Sequence, residues 1–258
     1  MINFSKRDKL KFDKNGYIVK KIFDKNKYFL KLSNDLKNEI TTIMRETNLE
    51  SLGGFKSGNL NLNLGRYGEK ILKLLNQKKF KFFFNYLTGD DINKYKIQFG
   101  GNLNLPKSKN QLFHIDGPWI RRMLILNIAT TNINRLNGPM EIYEKSHQKN
   151  YPYWKFHIQK FFMKKKKIKL NYGEILFREH RLWHRGTKNH STNYREMVGI
   201  MFLKKNLERN NIINKTTKNI EIFSNIFGTT KRERIKEFVF FYFKFIIFFY
   251  KFLILIKF

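Results

Sequence analysis

The stretch FHIDGPW, residues 113–119, contains a histidine and an aspartate separated by a single apolar residue. On a strand, residues i and i+2 point to the same side, so His114 and Asp116 could both reach one metal ion. This spacing is common by chance, and the pair alone is weak evidence. A metal site of this kind needs a third ligand from elsewhere in the chain.

The segment GEILFREHRLWHRG offers that third ligand. His184 follows the predicted strand GEILF and lies 68 residues beyond Asp116, and Arg195 comes eleven positions later at the start of YREMVGIMFL. Two imidazoles and one carboxylate on one face of an octahedron leave three positions open, which suits Fe(II) and dioxygen chemistry. An arginine on a neighbouring strand could hold a carboxylate through two parallel hydrogen bonds.

The remaining histidines are weaker candidates. His180 and His184 are four residues apart, which on a helix would form a metal-binding pair, but the strand before them and the glycine turn after them argue against a helix. We therefore interpret His180 as a loop residue. His147 is predicted to orient a turn through hydrogen bonds, and His157 and His190 are predicted to be surface or hydrogen-bonded histidines.

The elements that must position these residues are mainly strands. From residue 113 onward, short apolar runs alternate with Gly, Asn and Pro turn signals: MLILNIA, NGPMEIY, KIKLNYGEILF and YREMVGIMFL. Such runs predict an antiparallel sandwich or barrel. FDKNGYIVKKIF predicts an earlier strand, and YPYWKFHIQKFFMKKKKIK is expected to form a helical or irregular insertion over one face.

Two helices are expected in the first third of the chain. SNDLKNEITTIMRE has Leu36 and Ile40 at helical spacing after the capping candidates Ser33 and Asn34, and a second helix is predicted around residues 71–75. Between the helices and the strands, GNLNL occurs twice, at 58–62 and 101–105. We interpret both copies as sheet strands whose Asn side chains face either a cleft or solvent.

Four stretches together resemble the phytanoyl-CoA dioxygenase-like family of Fe(II)- and 2-oxoglutarate-dependent oxygenases. FDKNGYIV resembles the family's N-terminal Gly-Tyr strand, FHIDGPW its His-x-Asp motif, NGPMEIYEKSH its Asn-Gly-Pro turn and Ser-His segment, and LWHRGTKN…YR its distal histidine with the co-substrate arginine. They cover about residues 10–205 in the family's order. The sequence departs from the family at EKSH, where Pro-Gly usually precedes Ser-His.

The resemblance implies a fold, a cofactor set and a reaction. The implied fold is a double-stranded β-helix, a cupin-like jelly roll that is mainly β with flanking helices. The implied iron ligands, which are also the catalytic residues, are His114, Asp116 and His184, and Arg195 would bind the distal carboxylate of 2-oxoglutarate. With Fe(II), 2-oxoglutarate and dioxygen, such an enzyme hydroxylates its substrate and releases succinate and CO2. The retained Asp116 favours hydroxylation, because related halogenases replace this carboxylate with a small residue.

Further residues are candidates for co-substrate or substrate contacts. Gln111 lies three residues before His114 and could contact the co-substrate, although a structural role is equally consistent with its position. Asn127, on MLILNIA, is predicted to face either the cleft or an interior polar network. Trp119 and Arg121 follow the metal motif and could line the substrate entrance.

The charge of the chain bears on its partners. The 258 residues include 52 Lys and Arg but 20 Asp and Glu, a net charge of +32, and no cysteine. Thiolate zinc sites and cysteine nucleophiles are thereby excluded, and a reducing compartment such as the cytoplasm is consistent with the composition. The charge favours an anionic substrate, carboxylated, phosphorylated or CoA-linked. The lysine run at 164–167, with its aromatic neighbours, could contact nucleic acid, but a solvated face is the more usual explanation.

The C-terminal segment differs from the rest of the chain. We predict an oxygenase domain at 1–215, a basic linker at 216–237 and an apolar helix at 238–258, which would be about 31 Å long and could anchor the chain to an acidic membrane. A helix packed on the domain or on a partner, and a biased tail without function, remain alternatives. The predicted function is therefore a hydroxylase acting on a small or lipid-linked substrate. The alternative is a non-catalytic basic jelly roll that binds acidic membranes or nucleic acid.

Overall fold

The structure is a computed structural model that describes residues 5–75, 78–117, 119, 123–205 and 219–224. The helices are α1 (Lys6–Asn15), α2 (Lys27–Glu46), α3 (Arg66–Leu75), α4 (Lys78–Thr88) and α5 (Tyr153–Gln159). The strands are β1 (Tyr17–Lys21), β2 (Asn59–Asn63), β3 (Tyr95–Asn104), β4 (Met123–Ile128), β5 (Met140–Tyr143), β6 (Lys165–Ile168), β7 (Glu174–Glu179), β8 (His184–Gly186), β9 (Arg195–Lys204) and β10 (Glu221–Phe223).

Two antiparallel sheets form the body of the protein. The major sheet has seven strands in the order β1-β7-β4-β9-β3-β2-β10, and the minor sheet has three in the order β6-β5-β8. Most neighbouring strands are not consecutive in the chain, as in a jelly roll, in which the chain passes repeatedly from one sheet to the other. The predicted fold, a double-stranded β-helix that is mainly β with flanking helices, is confirmed.

The major sheet is covered by apolar side chains on both faces. On its outer face, Leu124, Leu126 and Ile128 of β4 belong to a core cluster that also contains the buried residues of α2, α3 and α4. The alternate residues of these strands point to the other face, towards the minor sheet. There, Leu176 and Met197 belong to a second core cluster. Helices therefore cover one face of the sheet, and the other face is available for a cavity.

The predicted strands are confirmed, and the two GNLNL copies pair with each other. Asn59 is opposite Asn104 and Asn61 is opposite Asn102 in the antiparallel β2–β3 register. One prediction about the helices is wrong. Ser33 and Asn34 lie inside α2, which begins at Lys27 after the cap Asn26, whose side chain accepts a hydrogen bond from the Phe29 amide. The patterns in the sequence did not predict α1 or α4.

The turn between α1 and β1 depends on a glycine. Gly16 has a φ of +84°, in the left-handed region, and a Cβ atom at this position would lie 2.5 Å from Nδ1 of His147. His147 in turn approaches the end of α1, with its Nε2 atom 3.1 Å from the carbonyl oxygen of Asp13. The contact accounts for the proximity of the first strand and the Ser-His segment, which are 130 residues apart in the sequence.

The aromatic and basic insertion contains α5 and the edge strand β6. The lysine run at 164–167 is exposed, and β6 pairs with β5 alone. Charged side chains on an edge strand oppose pairing with other chains. This arrangement accounts for the run as a solvated face, and its predicted contact with nucleic acid stays a prediction.

The C-terminal predictions fall mostly outside the described residues. Residues 219–224 lie within the predicted basic linker, and three of them form β10, which pairs with β2 at the edge of the major sheet. The apolar segment 238–258 lies outside the described residues. Among the helices that are described, none combines the length and apolarity needed to span a bilayer.

Candidate active site

A cavity of about 650 Å³ lies beside the inner face of the major sheet and reaches the start of β8. Seven of its lining side chains are carboxamides: Asn59, Asn61, Asn63, Gln98, Asn102, Gln111 and Asn127. Asp116 is the one acidic residue among the described residues that line the cavity, and the same set includes His114, His184, Arg178 and Arg195. The Asn residues of β2 and of the second GNLNL copy therefore include several that face the cleft.

His114, Asp116 and His184 come together at one end of this cavity. One ligand atom from each of the three lies within 4.8 Å of the others. His184 Nε2 is 3.4 Å from Asp116 Oδ2, and His114 Nε2 is 3.8 Å from Oδ1. Within the described part of the chain, this is the group of three His or acidic side chains whose spacing could hold a metal ion.

Backbone pairing brings the two histidines together. His114 and His184 form an isolated antiparallel bridge, in which each amide donates to the other's carbonyl oxygen at 3.0 Å. Asp116 follows in the turn after this bridge, and its amide donates to the carbonyl oxygen of His180. The third candidate ligand therefore meets the first two because a short segment before β4 pairs with the start of β8.

Both imidazoles are oriented by hydrogen bonds to the backbone. Nδ1 of His114 is 2.8 Å from the carbonyl oxygen of Leu112, and Nδ1 of His184 is 2.8 Å from that of Leu182. A carbonyl oxygen can only accept, so Nδ1 is the donor in each ring. A backbone carbonyl on the far nitrogen is the usual support for a metal-binding histidine.

The electrostatics of the cluster keep Asp116 and His184 in metal-binding protonation states. Burial opposes ionisation of Asp116, but the positive charge of Arg178 outweighs it and holds the pKa of this carboxyl well below its ordinary value. Burial, with the charge of Arg178, lowers the pKa of His184 well below its ordinary value. At neutral pH the site therefore presents an ionised carboxylate and a neutral imidazole, the forms that bind metal ions.

Arg195 lies at the start of β9 and lines the same cavity. Only 4% of the residue is exposed. Its Nη2 donates to the carbonyl oxygen of Gly138 at 2.9 Å and its Nε donates to that of Asn137 at 3.4 Å, whereas Nη1 is buried without a hydrogen-bond partner. Burial lowers the pKa of Arg195 to about 10, so the side chain remains charged at neutral pH. A buried guanidinium with an unused donor fits the carboxylate of a bound ligand.

The other predicted contact residues have different surroundings. Gln111 lines the cavity, and its Oε1 accepts a hydrogen bond from the Gly186 amide at 2.8 Å. Asn127 lines the cavity as well, and its Oδ1 accepts from Nε of Arg178 at 2.8 Å. Trp119 is half-buried, is not among the described lining residues, and lies 4.9 Å from the Arg181 guanidinium. Arg121 falls outside the described residues, and the roles of all four stay predictions.

Arg178 is the residue that the sequence analysis missed. It lies on β7 with 4% of its surface exposed, and its Nη2 contacts Oδ2 of Asp116 at 2.5 Å. Ile175 and Phe177 of the same strand point outward, whereas Leu176 and Arg178 point inward. The signal in the sequence was a charged residue at an inward position of a strand that is otherwise buried on both faces.

The side chains of the other described histidines are not part of this cluster. His180 is buried in the turn after β7, and its Nδ1 is 2.8 Å from Oε1 of Glu179. His157 is buried, with Nδ1 2.8 Å from Nζ of Lys160, and His190 is exposed. Their non-ligand roles stay predictions.

The donor set fits a ferrous ion held on one side. Two imidazole nitrogens and one carboxylate, with the rest of the coordination sphere facing a cavity, form the arrangement associated with non-haem Fe(II) oxygenases.

The phytanoyl-CoA dioxygenase (PhyH) family model matches residues 86–197. This range contains all three candidate ligands and Arg195, and the match confirms the family resemblance that the motifs predicted.

Solved structures extend the comparison to most of the chain. The structure of EctD from S. alaskensis with bound Fe has a TM-score of 0.65 at 14% identity and covers 86% of this chain and 87% of that chain. The non-heme alpha ketoglutarate dependent carbocyclase SnoK from nogalamycin biosynthesis has a TM-score of 0.63 at 12% identity, covering 86% and 97%. The epimerase SnoN, in complex with Fe3+, alpha ketoglutarate and nogalamycin RO, has a TM-score of 0.61 at 14% identity, covering 77% and 82%. A search of curated proteins found no matching relative. At these identities the likeness establishes the fold.

Proposed function

We propose that this chain is an Fe(II)- and 2-oxoglutarate-dependent dioxygenase that hydroxylates a small organic substrate and releases succinate and CO2. The observation that carries the proposal is the convergence of His114, Asp116 and His184 at one end of a cavity that Arg195 also lines. The PhyH match over the same residues supports it.

Each of these residues has a defined task in the proposed enzyme. His114, Asp116 and His184 would hold the iron from one side, and their hydrogen bonds fix the rings and the carboxylate before the metal arrives. Arg195 would bind the distal carboxylate of 2-oxoglutarate, where the low local dielectric strengthens the charge interaction. Iron, 2-oxoglutarate and dioxygen together would supply the oxidising chemistry, and the protein would orient the reactants and exclude water.

Hydroxylation is the outcome that we propose among several that this fold supports. SnoK is described as a carbocyclase and SnoN as an epimerase, whereas another EctD structure contains 2-oxoglutarate and 5-hydroxyectoine. Asp116 provides a carboxylate at the position where halogenases have a small residue, which argues against halide binding. A lipid-linked substrate and attachment to an acidic membrane depend on residues 238–258 and stay predictions.

Metal and co-substrate binding test the proposal directly. We would titrate the full-length protein with Mn2+, an ion that accepts the same ligands without reacting with oxygen, and then with 2-oxoglutarate, using calorimetry. We expect His184→Ala and the His114→Ala/His184→Ala double variant to lose Mn2+ binding, and His190→Ala, an exposed histidine outside the cavity, to retain it. With ferrous iron and ascorbate, the wild-type protein should then convert 2-oxoglutarate to succinate.

The same experiment separates the enzyme from the non-catalytic alternative. A basic jelly roll that serves as a scaffold for membranes or nucleic acid has no need of a metal site. Undiminished Mn2+ binding by the double variant would show that the ligand assignment is wrong. Equal succinate formation by the wild-type protein and His184→Ala would reject the enzyme itself.

A further inference from the structure

Arg178 adds a second buried positive charge to the cavity, beside that of Arg195. Its guanidinium contacts Asp116 through Nη2 and Asn127 through Nε, and Nη1 is buried with no hydrogen-bond partner. The side chain lines the cavity beside the candidate iron ligands. Burial of a charged group is costly unless an opposite charge accompanies it.

In the metal-free protein, Asp116 supplies that opposite charge. In the loaded protein, however, the charges of the bound groups must be counted together. The negative charges of a dianionic 2-oxoglutarate and the Asp116 carboxylate equal the positive charges of a ferrous ion and Arg195. The positive charge of Arg178 is then left without a balancing negative charge. No second acidic side chain is present among the described residues that line the cavity. One negative charge is therefore missing from the loaded site.

We propose that Arg178 binds the anionic group of the primary substrate, and that this substrate is a small organic acid. The inference rests on the proposed function, because the count of charges assumes that iron and 2-oxoglutarate are bound. A guanidinium is suited to this task because its planar fork matches the two oxygens of a carboxylate. The carboxamides and apolar side chains of the cavity would contact the uncharged part of the molecule.

A matched pair of probes tests the inference. We would load the full-length protein with Mn2+ and 2-oxoglutarate and measure the affinity for benzoate and for benzamide, its uncharged analogue, by calorimetry. The wild-type protein should bind benzoate about tenfold or more tightly than benzamide, since hydrogen bonds to charged groups are stronger than neutral ones. Arg178→Met should abolish this preference, and Arg178→Lys, which keeps the charge without the fork, should retain part of it.

The control variants exclude indirect effects. Arg181→Met removes a nearby arginine that pairs with Glu179 outside the cavity, and should leave the preference for benzoate unchanged. The ratio of the two affinities is informative because general unfolding or incomplete metal loading would weaken both probes alike. Loading is verified for every variant by its measured affinities for Mn2+ and 2-oxoglutarate.

Three results would overturn the inference. The first is a loaded wild-type protein with no preference for benzoate. The second is an undiminished preference in Arg178→Met. The third is a loss of 2-oxoglutarate binding in Arg178→Met as large as that in Arg195→Met, which would assign Arg178 to the co-substrate. A wild-type protein that fails to bind 2-oxoglutarate in the presence of Mn2+ would instead reject the proposed function.

Discussion

Replacement of Arg195 by methionine is the perturbation whose consequences the structure specifies most fully. The substitution replaces the buried guanidinium side chain with an apolar side chain of similar length. In the absence of ligand, two effects on stability oppose each other. The pKa of Arg195 is lowered from 12.5 to about 10 by burial, which corresponds to a cost of about 3 kcal/mol for keeping the side chain charged.

The hydrogen bonds of Arg195 offset this cost. Its donors satisfy the carbonyl oxygens of Asn137 and Gly138, and loss of two such bonds costs about 2–4 kcal/mol. The two effects are of similar size, and we expect the free energy of unfolding of Arg195→Met to lie within about 2 kcal/mol of the wild-type value. The effect on 2-oxoglutarate should be much larger, because the variant offers no charge to the distal carboxylate. A loss of one or two charge-assisted hydrogen bonds, about 3 kcal/mol, corresponds to a roughly hundredfold weaker affinity.

Two measurements check this prediction. Calorimetry of the Mn2+-loaded protein gives the dissociation constant of 2-oxoglutarate, and chemical denaturation gives the free energy of unfolding with and without the keto acid. A saturating keto acid should stabilise the wild-type protein by about 2.7 kcal/mol at one hundred times its dissociation constant, and the variant by far less at the same concentration. Arg195→Lys should have an intermediate affinity. If Arg195→Met binds 2-oxoglutarate within threefold of the wild-type protein, the assignment of this residue is wrong.

Three further predictions concern the fold and its surface. Phe177→Ala should lower the free energy of unfolding, measured by urea denaturation, by about 3–5 kcal/mol, because this fully buried ring contacts two other aromatic rings. As a control, Phe82→Ala, at a site that is 71% exposed, should change the free energy of unfolding by less than about 0.5 kcal/mol. Burial, with nearby positive charges, lowers the pKa of His157 to about 3, so the unfolded chain takes up a proton at this residue near pH 6.5 and the folded protein does not. The free energy of unfolding should therefore fall by about 3 kcal/mol from pH 7 to pH 4 because of this residue. His157→Gln should remove this loss. Equal pH dependence of the wild-type protein and the variant would contradict the prediction. Replacement of the four lysines at 164–167 by serine should change the free energy of unfolding by less than about 1 kcal/mol, and a larger loss would show that the run is structural.

The candidate ligands were predictable because their signals are local. His114 and Asp116 occupy a short motif, and His184 precedes a glycine turn after a recognisable strand. Arg195 begins a strand with a nearly continuous apolar run. Each strand has a period of two, so a charged or polar residue at its end can be assigned to a face once the apolar face is known.

The remaining features depend on pairing between distant segments. The caps of α2 were misassigned because Ser33 and Asn34 are favourable capping residues, yet the apolar side chains of Phe29 and Leu32 are buried and extend the helix towards its N-terminus. Similarly, β10 could not be predicted from three residues inside a basic segment, because its partner β2 lies about 160 residues earlier. Local propensity is overridden in both cases by burial against the rest of the fold.

Arg178 illustrates why overall charge did not identify the charged residue nearest the candidate metal ligands. A net charge of +32 predicts attraction to anions over the whole surface, but it does not distinguish an exposed lysine from a buried arginine. The lysines of β6 are exposed to water, where attraction to an anion is weak and screened by salt. Arg178 lies within the fold and contacts the carboxylate of a candidate iron ligand, so its charge must be balanced at short range. The preference of this protein for an anion should therefore depend on one residue in the cavity far more than on the many basic residues of its surface.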